Sequence, residues 1–587
     1  MNAADAPSAG DGPFTVQQKE YLQGFAAGLA AINALAPVAG GPASEAGPST
    51  APQSWYGVPL DEITNEERLK RDENPLDIWD KIVAHASANQ APQGGDVYRF
   101  KFHGLFYVAP AQDAFMLRVR MPANTLTSVQ MRTLAGIAQD LGGGYGDVTT
   151  RGNIQLREIA PKSIVEVLMR LTEVGLTSRG AGADNVRNIT CSPLAGIDSD
   201  ELIDTRPLAR ALQHCLANNR DLFGLPRKFN ISFDGGGRVG VVTDTNDIGF
   251  IATRCRGEAE LAAGVHFRVA LAGITGHLRF AQDCGILVAA EHCVAVAAAM
   301  VRVFAEHGDR TDRKKARLCY LLDRIGVARF LELTQEKLAF PLRHLHADHC
   351  VPRAAVDRRA HLGVTRQKQP GLYAIGIAIP VGRVQVSQML ALAQLADDFG
   401  SGELRTTVWQ NIVLTNVHAD RVDEAVQAIA AMGYGSSASS IAGGLVACTG
   451  NTGCRFSATD TKAQAIALVR RLEERVRLDA PVNIHLTGCP HSCAQHYVAD
   501  IGLLGVQIPQ DGSSIEGYHV YVGGGLEQER GLGRELVKNV PFAELAALLE
   551  SLLAGYVAHR EAGESFVAFA RRHDVEALRA LVAPLTA

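Results

Sequence analysis

The sequence predicts an internally duplicated α/β (α+β) protein, and three observations carry that prediction. A chain of 587 residues is too long for one hydrophobic core and is expected to form three or four domains. Its composition, with 47% hydrophobic and 20% charged residues, is typical of a globular protein. A stretch that begins at residue 119 recurs from residue 377, at a constant offset of 258 residues. We therefore expect two copies of one unit, each followed by a larger α/β segment.

The repeat keeps its register through a strand, a helix, a second strand and a second helix. Identical residues occupy matching positions of the two copies, as in Pro122 and Pro380, Gln130 and Gln388, Gly142 and Gly400, and Asn153 and Asn411. FMLRVRM alternates at period two, and the next stretch has apolar residues at helical spacing. Because a half-unit with an exposed sheet edge gains by pairing with its twin, the copies are expected to join into one pseudo-symmetric domain. Chance similarity is the alternative.

The rest of the chain is divided around these two copies. We expect a short amphipathic helix around 16–34, followed by a linker in the Ala-, Pro-, Gly- and Ser-rich stretch 36–52. The predicted units are a flexible N-terminal extension (1–55), a helical segment (56–95), the first copy (96–180), a larger α/β domain (181–345), the second copy (346–435) and a second larger α/β domain (436–587).

Composition and charge narrow the class of protein. The chain has no apolar run of the roughly 18–20 residues that a membrane span needs, and we expect no export signal from the composition of its first residues. Eleven scattered cysteines do not resemble a disulfide framework and favour a reducing cytoplasm. A net charge of −5 gives no reason to expect nucleic acid as a partner. We expect a cytoplasmic protein without a membrane or nucleic-acid partner.

Four cysteines near the C-terminus carry the strongest chemical signal. Cys448 and Cys454 lie in ACTGNTGC, and Cys489 and Cys493 lie in TGCPHSC, which gives the spacing C-x5-C-x34-C-x3-C. Four thiolates from two tight loops suit a 4Fe–4S cluster, because each iron takes one protein sulfur. Structural zinc, which usually uses C-x2-4-C in both arms, and buried cysteines without a ligand role are the alternatives.

These cysteine motifs, together with NVRNITC at 185–191 and LPRKFN at 225–230, resemble the siroheme-dependent assimilatory nitrite and sulfite reductases. The similarity runs from about residue 60 to 575 and is greatest to the ferredoxin-dependent nitrite reductases. It implies two ferredoxin-like half-domains that pair into one domain, and two larger α/β domains that hold siroheme and the cluster. It also implies that Cys493 binds the cluster and bridges to the siroheme iron.

Siroheme carries several carboxylates, which arginine and lysine bind through charge-assisted hydrogen bonds. The resemblance therefore makes the basic residues of several motifs candidates for contacts with this cofactor. The cofactor-binding candidates are Arg120 in FMLRVRMP, Arg151 and Arg157 in TTRGNIQLR, and Arg310 and Arg313 in the basic block 308–317. Arg118, Arg187 and Lys228 match the family's substrate-side residues, which hold the anion and feed protons. Strand alternation is expected to place Arg118 and Arg120 on one face. From the pattern alone, each of these cations would be a solvated surface residue.

Asn230 is expected to decide between the two substrates. The resemblance implies Lys-x-Lys in sulfite reductases and Asn at the second position in plant-type nitrite reductases, and this chain has Lys228 followed by Asn230. Sulfite is largely dianionic near neutral pH and gains from a further cation, whereas nitrite is a monoanion. A structural asparagine that holds a strand edge is the alternative. We expect six-electron reduction of nitrite to ammonia, with reduction of sulfite to sulfide as the second possibility.

The electron donor is expected to be a separate protein. GGGRVG at 235–240 matches G-x-G-x-x-G but leads into a strand-like run, so we interpret it as a hairpin turn and not a dinucleotide site. The resemblance implies reduced ferredoxin, or flavodoxin, docking on a local basic patch of a monomer. An oxygenation in corrin biosynthesis and a non-catalytic electron-transfer protein are the remaining alternatives.

Overall fold

The computed structural model describes residues 16–35, 54–256, 263–345, 347–437, 441–510 and 512–582. The linker expected at 36–52 lies outside this part of the chain. The N-terminal elements are α1 (Val16–Asn33), β1 (Ser54–Trp55), β2 (Val58–Pro59), α2 (Asn65–Asp72), α3 (Trp79–Ser87) and α4 (Asp96–Arg99). The helix expected around 16–34 is thus present.

The first copy of the repeat forms a compact strand–helix unit. Its elements are β3 (Leu105–Val108), β4 (Ala114–Arg118), β5 (Thr125–Thr127), α5 (Ser128–Leu141), β6 (Tyr145–Val148), β7 (Ile154–Ile159) and α6 (Ile164–Glu173). Helix α5 begins with a capping box, in which the Thr127 hydroxyl accepts from Gln130 N and the Gln130 side chain accepts from Thr127 N.

The first larger domain follows and is built on a six-stranded sheet. Its elements are β8 (Val186–Cys191), α7 (Arg206–Asn218), β9 (Phe229–Asp234), β10 (Ile248–Cys255), β11 (Gly264–Leu271), β12 (Gln282–Ala289), α8 (Cys293–His307), α9 (Leu318–Gln335) and β13 (Arg343–His344). Strands β8, β9 and β10 are parallel, and the others are antiparallel. Helix α8 is apolar on nearly all sides and is buried in this domain's core.

Two features of this domain differ from expectation. Gly28 of α1 lies so close to α7 that an added Cβ would be 2.9 Å from the Ala211 carbonyl oxygen, so α1 packs on this domain and is not a free extension. The GGGRVG segment at 235–240 connects two parallel strands, β9 and β10, which a hairpin cannot do. A 3-10 turn, Thr243–Thr245, follows it in place of an α-helix, so the helix N-terminus of a dinucleotide site is absent here.

The second copy repeats the first, down to its backbone detail. Its elements are β14 (Gly363–Arg366), β15 (Leu372–Ile377), β16 (Arg383–Gln385), α10 (Val386–Phe399), β17 (Glu403–Thr406), β18 (Ile412–His418) and α11 (Val422–Ala431). Ala123 and Val381, which match at the repeat offset, both adopt left-handed backbone angles, with φ of 61° and 52°. Such angles are uncommon outside glycine, so their recurrence supports the duplication.

The two copies join by exchanging a strand. Strand β5 of the first copy pairs with β17 of the second, with Thr127 opposite Glu403. Strand β16 of the second copy pairs with β6 of the first, with Gln385 opposite Tyr145. The two five-stranded sheets therefore share one hydrophobic core. This arrangement confirms the expected pseudo-symmetric domain.

The second larger domain completes the chain. Its elements are β19 (Leu445–Ala447), α12 (Thr461–Arg475), β20 (Ile484–Thr487), β21 (Ile501–Gln510), β22 (Ser513–Val522), β23 (Arg534–Pro541), α13 (Phe542–His559), α14 (Phe566–Arg572) and α15 (Val575–Ala580). Strands β19, β20 and β21 are parallel, as in the first larger domain. In the described residues, α13 alone has the length and hydropathy of a membrane span, but Leu545, Leu549 and Leu552 pack it into this domain's core.

Candidate functional site

The four cysteines lie on two loops that leave neighbouring parallel strands. Cys448 follows β19, and Cys489 follows β20, so both loops begin at the same edge of the sheet. The loops are joined directly, because Gly488 N lies 3.3 Å from Cys448 Sγ and Cys448 N donates to the Leu486 carbonyl oxygen at 3.0 Å. The strand order therefore brings together two pairs of thiols that are far apart in sequence.

The four thiols share one region of the structure. Burial and then the charges of Cys493, Cys448 and Cys454 raise the pKa of Cys489 to about 11. In the described residues, no group of three or more His, Cys, Asp and Glu side chains is arranged around a single ion, as tetrahedral zinc with Zn–S bonds of about 2.3 Å would require. Four thiols on two adjoining loops suit a 4Fe–4S cluster, in which each iron takes one protein sulfur.

Two glycines let the cysteine loops pack closely, Gly488 against Ser457 and Gly453 against the Arg157 side chain. A Cβ on Gly488 would lie 1.7 Å from Ser457 Oγ, and one on Gly453 would lie 2.8 Å from Arg157 Nη1. Arg157 Nη2 donates to Thr449 Oγ1 at 2.8 Å and its Nη1 donates to the Gly453 carbonyl oxygen at 3.3 Å. Arg157 therefore holds the first cysteine loop, which the sequence did not indicate.

Three predicted cations surround Cys493. Burial raises the pKa of the Cys493 thiol, and the nearby Lys228 and Arg118 oppose that rise. Burial lowers the pKa of Arg151 to about 10, and the nearby Asp247 and Cys493 oppose that fall. Cys493 is exposed although burial dominates its pKa, so we infer that its thiol faces a deep cleft and not the outer surface. The Thr150 hydroxyl donates to the Cys493 carbonyl oxygen at 3.0 Å and fixes the loop.

Arg187 and Lys228 form the substrate-side part of the same cluster. Burial, followed by the charges of Arg317 and Arg187, lowers the pKa of Lys228 well below its ordinary value. Burial and the neighbouring Arg118 lower the pKa of Arg187 to about 9, which leaves its guanidinium charged at neutral pH. Arg187 donates twice to the Ala183 carbonyl oxygen, at 2.7 and 3.1 Å. The predicted trio Arg118, Arg187 and Lys228 is thus brought together.

Arg317 belongs to this cluster and was missed from the sequence. Arg317 is the last residue of the basic block 308–317. Its guanidinium forms an ion pair with Asp247, in which Nη2 lies 2.9 and 2.8 Å from the two carboxylate oxygens. Its position directly before α9 could have indicated a buried partner, because a cation at a helix N-terminus is unfavourable unless an acidic group pairs with it.

Like Arg157 and Arg151, which donates to Asn246 and Thr245, the other three cofactor-binding candidates have protein partners. Arg310 is fully buried and pairs with Glu67, and Arg313 pairs with Asp184 at 2.7 Å. Arg120 lies just beyond β4, which ends at Arg118, and forms an isolated bridge to Thr177. The guanidinium of Arg120 donates to Gln213 Oε1 at 2.7 Å and to the Val186 carbonyl oxygen at 2.8 Å. Arg120 therefore connects the first copy of the repeat to α7 and β8 of the first larger domain.

Asn230 lies beside the same ion pair. Its backbone N donates to Asp247 Oδ2 at 2.9 Å, and its side-chain Nδ2 lies 3.4 Å from the same oxygen. Asn230 is buried. The side chain that replaces the second lysine of the Lys-x-Lys pattern therefore adds no cation and contacts a carboxylate that Arg317 already neutralises.

The second larger domain contains a matching arrangement. There the backbone N of Asn483 donates to Asp500 Oδ2 at 3.0 Å, and Arg358 Nη2 lies 3.0 Å from Asp500 Oδ1. Asn483 and Asp500 come directly before Ile484 and Ile501, the paired first residues of the parallel strands β20 and β21. The asparagine–aspartate–arginine unit is therefore also a structural device that fixes two parallel strands, which gives weight to the structural interpretation of Asn230.

The fold and the site together define a duplicated iron–sulfur protein with a cationic cleft. The model of the nitrite and sulphite reductase 4Fe-4S domain matches residues 182–342 and 442–585, and that of the nitrite/sulfite reductase ferredoxin-like half domain matches 109–174 and 365–432. The chain belongs to the nitrite and sulphite reductase family and is an oxidoreductase. The predicted fold class and family are confirmed, and the exact domain boundaries remain predictions.

Several known proteins are similar over most of their length. A ferredoxin–nitrite reductase of Synechococcus elongatus is 36% identical over 523 residues, which cover 87% of this chain and 98% of that protein. The chloroplastic ferredoxin–nitrite reductase of Spinacia oleracea is 35% identical over 465 residues, covering 78% and 77%. The structure of the Mycobacterium tuberculosis NirA protein matches with a TM-score of 0.81 at 30% identity, covering 88% of this chain and 98% of that one.

Proposed function

We propose that this protein catalyses the six-electron reduction of nitrite to ammonia, with siroheme and a 4Fe–4S cluster as cofactors and reduced ferredoxin as the electron donor. The observation that carries the proposal is that four thiols lie on two adjoining loops with Arg118 and Lys228 near Cys493, and with Arg187 beside both of these cations. Relatives named ferredoxin–nitrite reductase that match most of the chain support the substrate and the donor.

The donor set fits both cofactors. Four thiols on two loops suit the cluster, and the cations around Cys493 suit the carboxylates of siroheme. Of the predicted siroheme contacts, Arg151 lies in this cluster. All five arginines also donate to protein partners, namely Arg120, Arg151, Arg157, Arg310 and Arg313. When bound, siroheme supplies an iron for the anion and the cluster delivers electrons to it.

The chain's own residues hold the anion and supply protons. Arg118, Arg187 and Lys228 present positive charge in a cleft of low dielectric, where each contributes more than it would in water. Lys228 Nζ is the candidate proton donor, because burial and the charges of Arg317 and Arg187 lower its pKa well below its ordinary value. Arg317 remains paired with Asp247, and its charge lowers the pKa of the neighbouring Lys228.

Substitution of Asn230 tests the choice of substrate. Asn230→Lys restores the Lys-x-Lys pattern and adds a cation beside Lys228, so we expect the ratio of kcat/KM for sulfite over nitrite to rise at least about tenfold, or about 1.4 kcal/mol. Asn230→Met is the matched control. The methionine side chain is about as long as lysine but carries no charge, so this variant should leave the sulfite-to-nitrite ratio unchanged. An unaltered ratio in Asn230→Lys would assign Asn230 a purely structural role.

The donor is proposed to reach the cluster beside the first cysteine loop. Arg455 and Phe456 are exposed directly after Cys454, with the Arg455 guanidinium 4.9 Å from the Phe456 ring centre. An exposed cation and aromatic ring suit an acidic partner such as ferredoxin or flavodoxin. Arg455→Glu is expected to raise the KM for ferredoxin without changing turnover with a reduced viologen dye.

We also propose that the protein is a cytoplasmic monomer. The scattered, unpaired cysteines and the oxygen-sensitive cluster support a reducing compartment. Light scattering of the holoprotein would measure its oligomeric state, and a mass of twice the chain would contradict the monomer.

A further inference from the structure

Cys255 and Cys350 lie directly opposite each other on two antiparallel segments. Cys255 is the last residue of β10, and Cys350 lies in the segment that leads from the first larger domain to the second copy of the repeat. Hydrogen bonds flank the pair on both sides, from Val351 N to the Arg254 carbonyl oxygen at 2.8 Å and from Arg256 N to the His349 carbonyl oxygen at 3.2 Å.

This hydrogen-bond pattern defines a non-hydrogen-bonded cross-strand pair. In such a pair the Cα atoms are about 4.5 Å apart and the side chains are at their closest. A disulfide needs a Cα separation of about 4.4–6.8 Å, so the backbone already meets its main geometric requirement. Both thiols are buried, at 2% and 5% exposure, in one small apolar cluster with Leu287.

The other cysteines are placed differently. Cys448, Cys454, Cys489 and Cys493 occupy the two cluster loops. Across the strand pairings and isolated bridges of the described residues, Cys255 and Cys350 are the one pair of cysteines in register. The proposed reduction of nitrite makes no use of either thiol.

A small reagent can approach the pair from one side. Cys350 lines a cavity of about 370 Å³, together with Arg256, Arg268 and Arg353. Arg268 and Arg353 are paired with Asp283 and Asp234, and Asp348 also lines the cavity, so a low-molecular-weight disulfide such as oxidised glutathione would reach Cys350 by access and not by net charge. The cavity therefore offers a route for thiol–disulfide exchange at Cys350.

We propose that Cys255 and Cys350 form a reversible dithiol–disulfide pair. The Cys350 thiolate attacks a low-molecular-weight disulfide and releases one small thiol, and Cys255 then displaces the second. One protein S–S bond forms, the small disulfide accepts the electron pair, and the two thiol protons end on the two small thiols. The bond ties β10 to the connecting segment, where Arg353 pairs with Asp234 at 2.8 Å.

Peptide mapping of the intact holoprotein tests this proposal. The anaerobically purified protein is equilibrated with mixtures of reduced and oxidised glutathione, its free thiols are alkylated, and its peptides are analysed without reduction. We expect a Cys255–Cys350 disulfide that reverts with dithiothreitol, under conditions that leave the visible absorption of the cluster intact. Both residues fully alkylated at every ratio, or a bond that forms only after unfolding, would overturn the proposal.

Single substitutions sharpen the result. Cys255→Ser and Cys350→Ser should each lose the internal bond, with Cys255→Ser trapping a mixed disulfide with glutathione at Cys350. Cys284→Ser is the matched control, because Cys284 is a partly buried cysteine of the same domain and its loss should leave the bond unchanged. The mapping of the unsubstituted protein stands alone if a serine variant fails to fold. Oxidation should also raise the thermal midpoint by several degrees, and Cys350→Ser should abolish that shift.

Discussion

Replacing Arg157 should release the first cysteine loop and cost the protein its cluster. The side chain is 3% exposed on β7 and holds the loop through Thr449 Oγ1 at 2.8 Å and the Gly453 carbonyl oxygen at 3.3 Å. A hydrogen bond from a charged donor contributes about 1.5–3 kcal/mol. Loss of two such bonds in Arg157→Ala should therefore weaken the anchoring of the loop by roughly 3–6 kcal/mol.

The effect should be local, because the carboxylate behind Arg157 keeps other partners. Asp147 lies 3.3 Å from Arg157 Nε, 3.0 Å from Arg383 Nε and 3.4 Å from Lys462 Nζ. Truncation of Arg157 thus leaves no isolated buried charge, which would otherwise cost about 3–5 kcal/mol. Arg383→Ala is the matched control, since it removes a partner of the same carboxylate without touching the loop.

The assay is the iron and acid-labile sulfide content per chain after anaerobic purification. We expect Arg157→Ala to fall well below the parent protein, Arg157→Lys to be intermediate, and Arg383→Ala to match the parent. Normal iron and sulfide in Arg157→Ala, with selective loss of siroheme absorption, would refute this reasoning and make Arg157 a direct siroheme contact.

Two further predictions concern buried carboxylates. Asp247→Asn should lower kcat/KM for nitrite by about tenfold or more, because it frees Arg317 beside the substrate-side cations, whereas Asp500→Asn should reduce only thermal stability; equal kinetic losses in both variants would contradict this. Burial and the nearby Asp234 raise the pKa of Glu527 to about 8. Between about pH 4 and 8 this carboxyl is therefore protonated in the folded protein but ionised in the unfolded chain. The free energy of unfolding falls as the pH rises through that window. The Oε2 atom of Glu527 is buried without a hydrogen-bond partner, so Glu527→Gln should stabilise the protein by roughly 1–3 kcal/mol at pH 8 and flatten that pH dependence, as measured by denaturant unfolding; a destabilised variant would contradict it.

The duplication was predictable, but the strand exchange was not. Matching residues at one offset reveal a repeat whatever its fold, and the alternation of FMLRVRM reveals a strand. The exchanged strands, Thr125–Thr127 and Arg383–Gln385, have only three residues each. Three residues are too few to show a period of two, so their pairing across the copies becomes visible only in the structure.

The cysteines of the site were predictable, but the partners of the arginines were not. Cysteine spacing reports loop geometry directly, whereas a charged side chain is assigned by what it meets. Arg310 meets Glu67, 243 residues away, and Arg313 meets Asp184, 129 residues away, so the basic block looked free in sequence. Arg120 meets Gln213, 93 residues away, and the Val186 carbonyl oxygen, so its partners could not be seen in the sequence either.

The most direct test of the proposed function is side-by-side turnover of nitrite and sulfite by the anaerobically purified holoprotein, with reduced ferredoxin as the donor. The structure and the relatives predict ammonia from nitrite with a kcat/KM far above that for sulfite. Faster formation of sulfide would leave the cofactors and fold in place and contradict the assignment of nitrite as the substrate.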